Sequence, residues 1–194
     1  MKKLLIVLTA AVLIGVSIYT VNTYNSSVKN KDNGNTTQSN SNNNTTTTKP
    51  IGINPDAIKT KAIDFKLKDL DGKELSLSDL KGKKVFINFW ATWCPPCKAE
   101  MPEIEKIYQE TKNSDLVIVA IEIGEPLSTV KPFINNNKYN FKVLLDLDQS
   151  VATKYGISAI PTSYFINKSG NIVSKNVGAM DIDQMKASIK ALDK

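Results

Sequence analysis

The sequence predicts an α/β fold, with helices packed on a central sheet. Two near-continuous apolar runs, residues 85–90 (VFINFW) and 116–123 (LVIVAIEI), are typical of strands that are buried on both faces. Stretches with helical periodicity follow these runs, and strands that alternate with helices indicate an α/β layer arrangement. Residues 51–194 are numerous enough to bury one hydrophobic core.

The first elements of this domain follow from local patterns. Residues 65–68 and 74–77 alternate around an Asp71-Gly72 turn, which predicts an N-terminal β-hairpin. Residues 98–112 place apolar side chains on one helical face, and residues 128–137 carry a weaker helical pattern.

The second half of the domain continues the alternation. Strands are predicted over residues 142–147 and 163–167 and, after a polar turn, over 172–175. A last helix is predicted over residues 181–192, because Asp181 and Gln184 have the spacing of a capping box before an apolar periodic stretch.

The first 50 residues are predicted to lie outside the folded domain. Residues 4–21 are 18 residues without a charge, preceded by Lys2 and Lys3, which predicts a signal-anchor over 1–21 with the rest of the chain outside the cytoplasm. A cleaved signal peptide is the alternative, but the run ends in a poor cleavage site. Residues 22–50 are rich in Asn, Thr and Ser and predict a disordered linker to a domain over 51–194.

The composition excludes several kinds of chemistry. The formal charge is +6, all 25 basic residues are Lys, and the chain contains neither Arg nor His. Histidine general bases, histidine metal ligands and arginine clamps on phosphate are therefore impossible. Residues 1–50 carry five Lys and one acid, or +4, which leaves +2 for residues 51–194. A basic nucleic-acid-binding face is not predicted, and we expect no nucleic-acid partner.

The two cysteines of the chain, Cys94 and Cys97, lie where a buried strand runs into a helix. A helix N-terminus stabilises a thiolate, and two cysteines at this spacing can form a disulfide. We expect Cys94 to be the more exposed of the two, with Pro95 and Pro96 in the first helical turn. The pattern predicts thiol–disulfide exchange, in which one thiol attacks and the other resolves the mixed disulfide.

The cysteine pair has two other interpretations. Half of a metal site would need a second pair of ligands from another chain, since no further Cys and no His exist. A purely structural disulfide would close too small a loop to stabilise the fold much.

The chain resembles the thioredoxin-like superfamily at several separate positions. Residues 93–98 (WCPPCK) are similar to its active-site motif, and residues 156–162 (GISAIPT) are similar to its cis-proline loop. Residues 176–180 (NVGAM) match the segment before its last helix, and Pro102 matches a proline of its active-site helix.

The N-terminal hairpin, with DGK at 71–73 and SDLKGK at 78–83, resembles the TlpA/ResA branch of membrane-tethered bacterial thiol-disulfide oxidoreductases. The resemblance covers residues 60–194. It implies a thioredoxin-like fold, in which a central mixed sheet is flanked by helices and carries an N-terminal β-hairpin extension.

The resemblance implies catalytic roles for three residues. Cys94 matches the nucleophile and Cys97 the resolving thiol. Asn88 stands where cytoplasmic thioredoxins have a buried Asp that accepts a proton, and an amide cannot do so. Glu100, one turn after Cys97 on the same helix face, is the expected substitute. An ordinary solvated helix residue is the alternative for Glu100.

The resemblance also implies a substrate groove beside the cysteines. The Ile160-Pro161 bond is expected to be cis, with the Ile160 backbone offered to an extended peptide. Trp93, Pro95 and Pro96 are expected to flank this groove.

Glu122 and Glu125 come at and just after the end of the strand predicted over 116–123. A solvated polar loop is the favoured interpretation of this pair. The alternative is that both carboxyl groups line the site.

The function that the resemblance implies is reduction of protein disulfides outside the cytoplasm, for example in apocytochrome c, with electrons from a membrane thiol-disulfide carrier. The Cys94–Cys97 dithiol itself would carry the electrons, so no metal or organic cofactor is expected. Two alternatives remain open. One is a peroxiredoxin-like thiol peroxidase, which shares the hairpin-first layout, and the other is a metal chaperone that uses the two thiols.

Overall fold

The computed structural model describes residues 60–193, and over this range the chain forms a seven-stranded sheet with four α-helices. The predicted α/β class is confirmed. The strands are β1 (Lys66–Asp69), β2 (Glu74–Ser76), β3 (Lys84–Trp90), β4 (Leu116–Ile123), β5 (Lys142–Asp146), β6 (Thr162–Ile166) and β7 (Ile172–Val177). The helices are α1 (Pro95–Thr111), α2 (Leu127–Asn137), α3 (Ser150–Lys154) and α4 (Ile182–Lys190), and 3₁₀ turns span Leu77–Leu80 and Ala191–Asp193.

The sheet is mixed, with the strand order β2-β1-β5-β4-β3-β6-β7. Strands β3, β4 and β5 run parallel, and α1 and α2 provide the crossovers that parallel neighbours require. Strand β6 is antiparallel to β3, β7 is antiparallel to β6, and the β1–β2 hairpin joins β5 in antiparallel pairing. The central mixed sheet and the hairpin extension are both as expected.

The described chain begins at one outer edge of the sheet and adds its hairpin to the other. The Thr60 carbonyl accepts a hydrogen bond from the Ile172 N–H at 2.9 Å, and Lys61 forms an antiparallel bridge with Asn171. Residues 60–62 therefore lie beside the start of β7. The following hairpin then extends the sheet beyond β5.

Hydrophobic clusters fill both faces of the sheet, because successive side chains of a strand point to opposite faces. On β3, Phe86 and Trp90 belong to the cluster that includes buried residues of α1, α2 and α4, whereas Ile87 and Phe89 belong to the cluster with α3. Asn88 has the same parity as Phe86 and Trp90, so its side chain points to the α1 face. This central strand ends at the cysteine loop.

Most helix and strand positions agree with the sequence pattern. Helix α1 begins at Pro95, three residues before the predicted start, because prolines in the first turn lose no intrahelical hydrogen bond. Asp181 and Gln184 accept hydrogen bonds from each other's backbone N–H at 2.8 and 2.9 Å, which confirms the capping box. Helix α3 is not apparent from the sequence, because five residues are too few to establish a helical period.

Within residues 60–193, no helix is both long enough and apolar enough to cross a membrane. The predicted anchor (1–21) and linker (22–50) lie outside the described residues.

Candidate active site

The Cys94–Cys97 pair lies at the N-terminus of α1, directly after the central strand. The two sulfur atoms are bonded at 2.08 Å. Cys94 is the N-cap residue, and its Sγ accepts a hydrogen bond from the Cys97 N–H at 3.2 Å. Pro95 and Pro96 occupy the first two helical positions. The Cys97 amide is therefore the first free N–H of the helix, and it points at the Cys94 sulfur.

The expected contrast in exposure between the two cysteines is almost absent in this disulfide form. Cys94 is 2% exposed and Cys97 is 0% exposed. The Cys94 Sγ lies 3.8 Å from the carbonyl oxygen of Ile160, in the loop that faces the helix start. That loop covers the side of the sulfur that the sequence alone suggested would meet solvent.

The loop before β6 contains a cis Ile160-Pro161 bond, which confirms the prediction. Pro161 is buried, and its carbonyl oxygen accepts a hydrogen bond from the Gly178 N–H at 2.8 Å, which fixes the 176–180 segment beside it. Ile160 is half-buried. Trp93 is 64% exposed. Pro95 and Pro96 are also exposed. Trp93, Pro95 and Pro96 adjoin Cys94 in the chain, and the Ile160-Pro161 loop approaches Cys94 through the Ile160 carbonyl.

Glu100 is buried on the inner face of α1, one turn after Cys97, and is only 2% exposed. Its Oε1 accepts a hydrogen bond from the Asn88 side-chain amide at 2.7 Å, and its Oε2 accepts one from the Met180 N–H at 2.9 Å. Burial raises the pKa of Glu100 to about 7, although these two hydrogen bonds favour its ionised form. The alternative of a solvated helix residue is excluded.

Asn88 connects the carboxyl group to the strand beneath the site. Its amide nitrogen also donates to the Ser163 hydroxyl at 3.1 Å, so Glu100 is held by β3 through Asn88 and by the segment before α4 through Met180. Among the described residues, the Asn88 Oδ1 has no hydrogen-bond partner.

Glu122 and Glu125 do not form a solvated loop, and that interpretation is wrong. Glu122 is the next-to-last residue of β4 and is 0% exposed. Glu125 is half-buried and binds Thr92, two residues before Cys94. The signal in the sequence was strand parity, because Glu122 follows Ile118 and Ala120 in steps of two and so faces the same buried side.

We expect the free energy of unfolding of the oxidised protein to fall as the pH rises from 5 to 8. Burial raises the pKa of Glu100 to about 7 and that of Glu122 to about 8. Between the ordinary value near 4.5 and these values, the native state holds more protons than the unfolded state, so stability declines with pH. Each unit corresponds to about 1.4 kcal/mol, and Glu100 and Glu122 together cross about five units between pH 5 and pH 8, so the decline has an upper bound of about 7 kcal/mol.

Urea midpoints at pH 5 and pH 8 measure this decline. The disulfide form is used because its cysteines do not titrate. Asp115, whose pKa is lowered to about 2 by Lys168 and Lys84, titrates below this window and does not interfere. The Glu100→Gln and Glu122→Gln double variant should have nearly equal midpoints at the two pH values. Equal midpoints in the unmodified protein would contradict the assignment.

Comparison with known proteins gives consistent relatives. The model of the AhpC/TSA family matches residues 58–175. Thiol-disulfide oxidoreductase ResA of Bacillus anthracis is 38% identical over 135 residues, which cover 70% of this chain and 78% of that protein. ResA of Bacillus subtilis (strain 168) is 44% identical over 119 residues, 61% of this chain and 66% of that protein.

Two solved structures share the fold. StoA from Bacillus subtilis matches with a TM-score of 0.59 and 31% identity, over 67% of this chain and 98% of that one. A putative thiol:disulfide interchange protein DsbE from Chlorobium tepidum matches with a TM-score of 0.65 and 28% identity, over 70% and 98%. With its cysteine pair, cis-proline loop and N-terminal hairpin, the chain belongs to the AhpC/TSA family and, among thioredoxin-like proteins, to the ResA-like thiol-disulfide oxidoreductases.

Proposed function

We propose that this protein is a membrane-tethered reductase that acts on protein disulfides outside the cytoplasm, with apocytochrome c among its substrates. The observation that carries the proposal is the Cys94–Cys97 pair at the start of α1, beside the Ile160-Pro161 loop and one turn before a buried Glu100. The names of the ResA relatives support thiol–disulfide exchange as the reaction.

In the reduced enzyme, the Cys94 thiolate attacks one sulfur of a substrate disulfide. A Cys94–substrate disulfide forms, the substrate S–S bond breaks, and one substrate thiolate leaves. The Cys97 thiolate then attacks the Cys94 Sγ, which forms the intramolecular disulfide and releases the second substrate thiolate. Two electrons pass to the substrate, and a membrane thiol-disulfide carrier would return them to the enzyme. The two thiols suffice for this exchange, so the proposal includes no metal or organic cofactor.

The residues around the disulfide have separate tasks in these steps. The Cys97 N–H and the N-terminus of α1 stabilise negative charge on the Cys94 sulfur. Glu100 accepts the proton of the Cys97 thiol before the second attack, and Asn88 and the Met180 N–H hold its carboxylate in place. A pKa of about 7 suits proton exchange with a thiol at neutral pH.

An extended substrate peptide would lie along the groove next to Cys94. The Ile160 carbonyl and the face of Pro161 form one side, and Trp93, Pro95 and Pro96 form the other. Trp93 offers a large exposed apolar surface for a partner, which is the kind of anchor that protein interfaces use.

The tether rests on the sequence of the first 50 residues. Residues 4–21 are uncharged and follow two lysines, which supports a single membrane-spanning anchor with the catalytic domain outside the cytoplasm. Residues 22–50 would link this anchor to the domain. We propose the cell membrane as the location and include no nucleic acid among the partners.

Trapping in cells tests the substrate class. Cys97→Ser keeps the attacking thiol but removes the resolving one, so Cys94 should stay joined to its substrate. We expect disulfide-linked adducts in the membrane fraction, accessible to protease added outside the cell, with apocytochrome c among them. Cys94→Ala, Cys97→Ser is the matched control and should trap nothing. Adducts that contain only other proteins would refute the cytochrome substrate, and adducts in the cytosol would refute the location.

A further inference from the structure

A carboxyl pair lies behind the Cys94 loop, and the exchange steps do not use it. Glu122 and Glu125 are joined by a tight turn at the end of β4, on the side of the sheet that carries α1 and α2. An inference about this pair rests on the proposed function, because it concerns the loop that holds the attacking cysteine.

The turn gives both carboxyl groups fixed partners. Both carboxyl oxygens of Glu122 lie 3.2 Å from the Glu125 N–H. Between them, Gly124 has a φ of +85°, and a Cβ at that position would come within 2.7 Å of the Gln149 side-chain nitrogen. The left-handed conformation therefore favours glycine in this turn, whereas the flexible Gln149 side chain can move aside.

Glu125 reaches from this turn to the cysteine loop. Its two carboxylate oxygens accept hydrogen bonds from the Thr92 N–H at 2.7 Å and the Thr92 hydroxyl at 2.6 Å. The Cys94 N–H donates to the Ala91 carbonyl at 3.2 Å, which closes a turn between β3 and α1. Thr92 lies inside this turn. Two short bonds to a charged acceptor fix this turn strongly.

We infer that Glu122 is a positioning residue, which orients the Glu125 carboxylate against Thr92 and through Thr92 fixes the loop that carries Cys94. Within residues 60–193, Glu122 makes no hydrogen bond to the cysteines or to the groove residues, and its carboxyl group binds the Glu125 N–H. Its effect on exchange would pass through Glu125, whose carboxylate makes the direct bonds to the loop.

The surroundings of Glu122 favour its neutral form. Its register neighbours are Trp90 on β3 and Leu145 on β5, neither of which is charged. The titratable groups that disfavour its ionised form are Glu125 on its own turn and, from the opposite face of the sheet, Asp146 at the end of β5, whose carboxylate is bound by the Val151 and Ala152 N–H groups.

On α1, the buried residues with titratable side chains are Cys97 and Glu100, and the buried residues of α2 are apolar.

Burial and the adjacent Glu125 carboxyl raise the pKa of Glu122 to about 8. Glu122 is thus mostly neutral at neutral pH, next to the Glu125 carboxyl group that accepts both hydrogen bonds from Thr92. A neutral Glu122 can also donate a hydrogen bond to that carboxylate.

The inference predicts a pH effect that a merely structural residue would not cause. Above pH 8, ionised Glu122 would place a second negative charge against Glu125 and loosen the hold on Thr92. Glu122→Gln mimics the neutral acid at every pH, since its amide can still donate to Glu125. Glu122→Ala removes the contact and leaves the Glu125 N–H without its acceptor.

The first test measures the rate at which reduced enzyme attacks a small aromatic disulfide, DTNB, from pH 6.5 to 9. At each pH, the rate of the unmodified protein is divided by the rate of Glu122→Gln. The ionisations of Cys94 and Glu100 affect both rates alike and therefore cancel in this ratio. We expect the ratio to be near 1 at pH 6.5 and to fall to about one-third at pH 9, and Glu122→Ala to be about tenfold slower at pH 7. Glu110→Gln, on the exposed far end of α1, is the matched control.

A flat ratio across this range would overturn the inference but leave the proposed function intact. Loss of exchange in every variant, including the control, would instead refute the proposed function.

The second test needs no activity and holds even where Glu122→Ala fails to fold. In the oxidised protein, the side-chain carboxyl carbon of Glu122 is followed by ¹³C NMR against pH. We expect a titration near pH 8 that moves the Thr92 amide resonance with it, and Glu122→Gln should remove that movement. An unchanged Thr92 resonance through the titration would overturn the inference.

Discussion

Replacing Cys94 with alanine will lower the rate of insulin disulfide reduction by about 1000-fold or more, because the attacking thiolate is then absent. The chain has two cysteines, and Cys97 is fully buried behind the first. Cys97 is therefore a poor replacement as the nucleophile. The measurement is insulin turnover with a chemical reductant that regenerates the enzyme.

Cys97→Ala is the matched variant for this result. It should still attack a disulfide once, so that a mixed disulfide accumulates, but it should fail to complete turnover. Retained turnover in Cys94→Ala would refute the dithiol mechanism. Equal loss of the first attack in both variants would instead assign the attacking role to neither cysteine alone.

Glu100→Gln will slow the resolution of the mixed disulfide by about 100-fold at pH 7.5, because the amide cannot accept the Cys97 proton. The active form of Glu100 in this step is the carboxylate. With a pKa raised by burial to about 7, the unmodified enzyme should speed up as the pH rises through 7. The variant should speed up only as the Cys97 thiol ionises by itself. Single-turnover release of the second substrate thiol measures the step.

Glu103→Gln separates this proton transfer from a general loss of negative charge on α1. Glu103 lies three residues further along the same helix and pairs with Lys106 near the surface. Its variant should keep the rate and the pH profile of the unmodified enzyme. If Glu100→Gln keeps the ionisation near pH 7, Glu100 is not the group that accepts the proton.

The sequence predicts most of the fold and the cysteine half of the site. The buried strands before Cys94 and after α1 are continuous apolar runs, and such runs have few alternatives in an α/β protein. The capping box at Asp181 follows from a short local pattern, whereas the cis Ile160-Pro161 bond is expected from the resemblance of residues 156–162 to the cis-proline loop of thioredoxin-like proteins.

The rest of the site depends on contacts between distant segments. Glu100 could be placed on the right helix face, but its partners Asn88 and Met180 lie 12 and 80 residues away in the chain. The burial of Glu122 was missed because charged residues are usually solvated, and the strand parity that argues otherwise is a weaker prior. The near-complete burial of Cys94 depends on the Ile160 loop, which no local pattern brings against the helix start.

The pairing at the two outer strands bears on how this enzyme can meet unfolded chains. Exposed strand edges recruit other strands, and an unfolded polypeptide contains many segments that could pair in this way. At one border, β2 is only three residues long, and at the other, residues 60–62 occupy the start of β7. Both features shorten the edge available for a client to add a strand. An unfolded chain that contacts this domain therefore finds little sheet edge to pair with.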